Sequence, residues 1–126
     1  METHPTLSHG EWKLMELLWQ HPHTLMELVA TLKETVGWSK STVATMVRRM
    51  EEKGLISFEE HGRTKTFYPR ITQQQAALGE TESLLHRAFH GSLGLLVSAM
   101  ARSNNLTRDD IDELYAILKQ AEEERK

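Results

Sequence analysis

A chain of 126 residues can hold one ordinary domain, or a small domain with an oligomerisation appendage too thin to bury a core alone. The absence of cysteine excludes disulfides, thiolate metal sites and a cysteine nucleophile. No run of about 18 apolar residues and no basic segment leading into an apolar stretch occurs, which predicts a soluble cytoplasmic protein, and the formal charge of -3 is unevenly placed. Residues 1–70 balance nine Lys/Arg against nine Glu, and the deficit falls wholly in 71–126, so the first part is the better candidate for phosphate contact.

In chain order, Ser8-His9-Gly10-Glu11 has the form of a capping box and predicts a helix from about residue 9. Trp12, Met15, Leu18 and Trp19 recur at helical spacing until His21-Pro22 halts them. Thr24 to Glu27 repeats the box, and Leu28, Val29, Leu32 and Val36 carry a second helix to Gly37. Ser39 opens a third, with Val43, Met46, Val47 and Met50 inward and a stop at Gly54.

The period then changes. Residues 55–60 and 63–68 around a His61-Gly62 turn read as a β-hairpin with a polar, partly basic tip. Three helices and a hairpin, in that order, predict a winged helix-turn-helix over 1–71. From Thr72, with Gln75 completing a third box, the chain reads helical. Leu84, Leu85 and Phe89 mark one helix, Leu93, Leu96, Val97 and Met100 a second, and Ile111, Leu114 and Leu118 a third behind Thr107. These are too small a mass for a monomeric domain, so 72–126 is predicted to be a helical dimerisation region. The fold class is therefore mainly α with a small β-hairpin.

On a wheel of about 100° per residue, an inward face of Val43, Met46, Val47 and Met50 turns Ser41, Thr45 and Arg48 outward. Lys40, Thr42, Ala44 and Arg49 then lie on the flanks. Short side chains allow close approach to a major groove, hydroxyls reach phosphates or base edges, and Arg bonds guanine O6 and N7. A solvated helix face would have the same composition. The wing tilts the balance towards double-stranded DNA, because Arg63 and Lys65 at the hairpin tip are placed to grip the backbone or an adjacent minor groove. Glu51, Glu52, Glu59 and Glu60 would repel phosphate and are expected at the far end of the third helix and on the outer side of the wing.

His86 and His90, four apart on a predicted helix, have a metal-binding spacing but no evident third ligand, and no metal or cofactor is predicted. Trp12, Trp19 and Trp38 are read as core or core-edge residues rather than a stacking platform for single strands. No Gly-rich phosphate loop, apolar carboxylate pair or nucleophile context supports an enzyme. The neutral charge of 1–70 keeps one other class open, a winged-helix protein-interaction adaptor without DNA binding.

The stretch from Leu7 to Trp12 with Met15, Leu18 and Trp19 resembles the opening of the penicillinase-repressor (BlaI/MecI/CopY) family. So do Thr42 to Met50 with Lys53-Gly54-Leu55-Ile56, the Phe67-Tyr68-Pro69 strand end, and Leu106 to Leu114 running on to Leu118. The resemblance implies a homodimer that binds a palindromic operator and blocks transcription. It matches Ser41, Thr42, Ala44, Thr45 and Arg48 to the recognition helix, and Arg63, Thr64 and Lys65 to the wing. Without cysteine the chain lacks the metal hook of the copper-responsive branch. Where the β-lactam-responsive branch is cut at an Asn-Phe bond, this chain has Ala99-Met100, so a sensor protease as a partner has no support in the sequence.

Overall fold

The computed structural model describes residues 4–125. They divide into two compact units, Met1–Ser83 and Leu84–Lys126, each considered by itself. No helix among the described residues is long and apolar enough to cross a membrane.

The first unit runs α1 (His9–Gln20), β1 (His23–Thr24), α2 (Leu25–Val36), α3 (Lys40–Glu52), β2 (Ile56–His61), β3 (Thr64–Pro69) and the beginning of α4 (Gln73–Ala88). Helix starts follow local chemistry. Ser8 Oγ accepts the Glu11 N–H at 3.2 Å while the Glu11 carboxylate accepts the Ser8 N–H at 2.8 Å, and Thr24 with Glu27 and Thr72 with Gln75 do the same. The core joins Leu14 and Met15 of α1, Leu28 and Leu32 of α2, and Val43, Val47 and Met50 of α3 to Leu55, Ile56, Phe67 and Ala76. Trp12, Trp19 and Trp38 pack half-buried at its edge, Trp12 and Trp19 edge to face at 5.5 Å.

The sheet differs from the predicted hairpin in two ways. It has three strands in the order β1-β3-β2, because His23 and Thr24 pair antiparallel with Phe67 and Thr66. In addition, His61 pairs with Thr64, so the turn is Gly62-Arg63 rather than His61-Gly62. Gly62 has φ +69, a conformation glycine adopts without a Cβ penalty, and this selects it as the first turn residue.

One buried charge ties the unit together. The side chain of Glu11 is only 4 % exposed, and its second oxygen receives Lys53 Nζ at 2.7 Å, joining the start of α1 to the residue that caps α3. Burial acts to raise the Glu11 carboxyl, but the Lys53 ammonium and the Ser8 N–H outweigh it and hold the group below its ordinary 4.5. A carboxyl lowered on folding stabilises above its unfolded value and loses that contribution as pH falls through the folded one. Glu11→Gln is therefore expected to cost about 1–2 kcal/mol at pH 7, and the difference from wild type should shrink as pH falls below the ordinary carboxyl value and through the lowered folded one. Urea denaturation between pH 3 and 7 checks this, and a pH-independent difference would contradict it.

The second unit continues α4 and adds α5 (Leu93–Arg102), capped by Ser92, and α6 (Arg108–Glu124), capped by Thr107 in a box with Asp110. Neither α5 nor α6 contains a buried residue.

Candidate nucleic-acid interface

Helix α3 has its inner face locked in the core, which leaves the other face free to meet a partner. Lys40, Ser41, Thr42, Arg48 and Arg49 are exposed there, and Ala44 and Thr45 are half-buried. Ser41, Thr42, Thr45, Met46 and Arg49 line a shallow groove of about 250 Å³. Lys40, Ala44 and Arg48 lie outside it. Ser39, read from the sequence only as a helix start, organises the groove's entrance. Its hydroxyl accepts the Thr42 N–H at 3.2 Å and lies 3.2 Å from Ser41 Oγ and 3.0 Å from Thr42 Oγ1.

The wing residues gather elsewhere. Arg63, Thr64 and Lys65 share an open cleft of about 420 Å³ with Phe67 and with Thr24, Leu25 and Met26 at the start of α2. Sequence reasoning missed those α2 residues. They are distant in the chain, and only the pairing of β1 with β3 brings them to the wing. Lys65 Nζ lies 4.1 Å from the centroid of the Phe58 ring, a contact that steadies a cation while leaving it exposed.

The expectation for the wing acids holds for neither face alone. Successive strand residues point to opposite sides, so Glu59 and Glu60 cannot share one. Glu60 is paired across from Lys65, on its face, where it offsets part of that charge. Glu59 lies on the other face and accepts the Tyr68 hydroxyl at 3.3 Å. Glu51 and Glu52 are at the C-terminal end of α3, as expected.

His86 and His90 do not have the geometry that their spacing predicts. Helix α4 ends at Ala88, and His90 lies beyond it with φ +51, so His86 and His90 are not on adjacent turns of one helix. No group of three potential ligands occurs among the described residues.

The apolar residues of the second unit remain uncovered. Leu84, Leu93, Met100 and Leu118 are exposed, and Leu85, Phe89, Leu96, Val97, Ile111 and Leu114 are half-buried. Val97 of α5 and Leu106, Ile111, Leu114, Tyr115 and Leu118 of or beside α6 form an apolar groove of about 200 Å³.

The geometry has counterparts among known proteins. The Penicillinase repressor of Bacillus licheniformis is 28% identical over 127 residues, covering 100% of this chain and 99% of that protein. The methicillin resistance regulatory protein MecI of Staphylococcus aureus (strain N315) is 21% identical over 113 residues, 89% of this chain and 92% of that one. The solution structure of the DNA binding domain of the repressor BlaI superposes with a TM-score of 0.53 and 29% identity, over 60% of this chain and 93% of that domain. A family model described as Penicillinase repressor matches residues 7–120. The chain thus belongs to the penicillinase repressor family, whose members are repressors and not enzymes.

Proposed function

We propose that the protein is a homodimeric, sequence-specific DNA-binding repressor that sets α3 of each protomer into the major groove of a palindromic operator. The observation that carries this reading is the outer face of α3, a groove of hydroxyls and one guanidinium on a helix held from behind by the core. The likeness to the BlaI DNA binding domain, at 29% identity, supports it. Two recognition helices related by a two-fold axis meet successive major grooves about 34 Å apart. The uncovered apolar sides of α5 and α6 supply the dimer contact, since pairing two copies is the simplest way to remove them from water.

In this reading 1–71 bind DNA and 72–126 carry the dimer contact, which falls to the helices beyond Ser83 because the first turns of α4 pack with the winged-helix unit. A DNA partner makes the protein cytoplasmic. The wing holds the phosphate backbone through Arg63, Thr64 and Lys65. A sensor protease acting at Ala99-Met100 would have to fray the last turn of α5, where that bond lies.

Changing Arg63 and Lys65 to Ala tests the wing. Binding to every duplex, specific or not, should weaken, and the slope of log affinity against log salt should fall by about 3 to 4, since the dimer loses two cations from each of its two wings. Titrations of the full-length protein against a duplex between 50 and 200 mM salt measure it. An unchanged slope would remove the wing from the backbone, and wild-type binding that ignores salt altogether would favour a protein-interaction adaptor instead.

A further inference from the structure

The winged-helix unit does not end at the wing. Three consecutive positions hold the chain as it leaves β3: the Arg70 N–H bonds the Leu55 carbonyl at 2.9 Å, the Ile71 carbonyl accepts Trp19 Nε1–H at 2.9 Å, and Thr72 caps α4. Ala76, in the first turn of α4, is fully buried in the same core as α1, α2 and α3. The segment before α1 lies against the next turns. Gly79 is buried, and a Cβ there would run into the Pro5 carbonyl and crowd that of His4. His4 donates its N–H to Glu82 at 3.3 Å, and His4 Nδ1 lies 2.9 Å from the same carboxylate oxygen. Leu7 anchors the other end of this strap in the core. The His4 contacts also hold the Glu82 carboxyl below its ordinary range.

From these contacts we infer that His4, Trp19, Gly79 and Glu82 are positioning residues for operator binding, because they fasten the first three turns of α4 to the winged-helix unit and so set which half-site spacing a dimer accepts. The inference rests on the dimeric-repressor reading above. A free joint at residues 70–72 would let each recognition helix search for its half-site, and the dimer would tolerate several spacings. Here the joint is closed on both sides. Helix α4 is continuous from Gln73 to Ala88, and its first three turns are the part that these contacts hold. One inserted base pair turns a half-site by roughly 35° and moves it about 3.4 Å, and a fastened helix cannot follow without breaking contacts. Glycine in the interior of α4 is itself a sign of this role. It costs about 1 kcal/mol of helix stability relative to alanine, and the strap occupies the space a Cβ would take.

The test uses the full-length protein and the inverted repeat that the wild-type chain selects from a random duplex library, at the selected spacing and with one or two base pairs added. Wild type should lose at least about 30-fold in affinity on insertion, whereas Gly79→Ala and Glu82→Ala should lose about 3-fold or less, with the dimer intact. Trp19→Phe, which keeps the ring but removes the N–H donor, should act in the same direction. Alanine favours the helix, so Gly79→Ala displaces the strap without unwinding α4, and faster amide exchange at Leu7 reports the displacement. Glu82→Ala carries the test if Gly79→Ala misfolds. If the wild-type chain selects an inverted repeat but all four proteins lose affinity equally on insertion, the positioning role is overturned and the repressor reading stands. If it selects no repeat, the repressor reading fails and the positioning role with it.

Discussion

Replacing Thr45 and Arg48 together by alanine should lower affinity for the operator by roughly 10²–10³-fold and bring it near the affinity for scrambled duplex, since a good base contact discriminates by about 1–3 kcal/mol. Thr45 lies in the α3 groove and Arg48 on the exposed surface beside it. Neither belongs to the core, so the melting temperature and the dimer should be unaffected, surface substitutions commonly falling within about 0.5 kcal/mol. That separation distinguishes a recognition face from a structural one. Fluorescence anisotropy against specific and scrambled duplexes provides the readout. Wild-type specificity in the double variant would refute the assignment of this face, and attention would then pass to the opposite rim of the groove, where Thr42 and Arg49 stand.

The second large effect belongs to the other unit. Leu118→Asp should convert the dimer to monomer at micromolar concentration and weaken operator binding by about 10²–10⁴-fold, the advantage lost when two linked sites bind independently. Leu118 is 60 % exposed and lines the groove with Val97, Ile111 and Leu114. A carboxylate there is solvated in a free protomer, so the helices should persist. In a two-fold dimer each substitution acts twice, and each removes about 1.5–3 kcal/mol of apolar burial while setting a charge against an apolar surface. Sedimentation velocity and far-UV circular dichroism check the two halves of the expectation. A variant that stays dimeric would move the interface away from this groove.

How far the sequence discloses the structure depends on the range of the interactions. Ser8 with Glu11, Thr24 with Glu27, Thr72 with Gln75 and Thr107 with Asp110 are contacts between residues three apart, and each marks a helix start that the structure contains. The inner face of α3 is equally local, and the wheel places Val43, Val47 and Met50 inside, whereas Met46, also predicted inward, is half-buried and lines the outer groove because it sits at the margin of the two faces. Strand β1 could not be read because two residues display no period. Its existence depends on Phe67 and Thr66, far along the chain. The hairpin turn falls one residue later than predicted because strand register is a property of both strands and of the one glycine that accepts positive φ. In α1 the inner stripe is centred on Leu14, which a stripe drawn through the two tryptophans passes over. The rings of Trp12 and Trp19 sit at the edge, where they cover the core without entering it.

The candidate site follows the same rule. Ser41, Thr42, Thr45 and Arg49 are legible on one helix, as are Arg63, Thr64 and Lys65 at one tip. The contribution of Ser39 was hidden behind its capping role, and that of Thr24 to Met26 behind tertiary pairing. The strap from His4 to Leu7 carries no periodic pattern, and its meaning comes only from Gly79 and Glu82 on a helix much later in the chain. Glu11 and Lys53 are an intermediate case: the cap is visible locally, the ion pair only in three dimensions.

Sequence-specific repression is tested most directly by selecting bound fragments from genomic DNA with the purified full-length protein at physiological salt. The expected result is an inverted repeat whose half-sites are centred about one helical turn apart, bound by one dimer. A folded dimer that recovers no preferred sequence would contradict it.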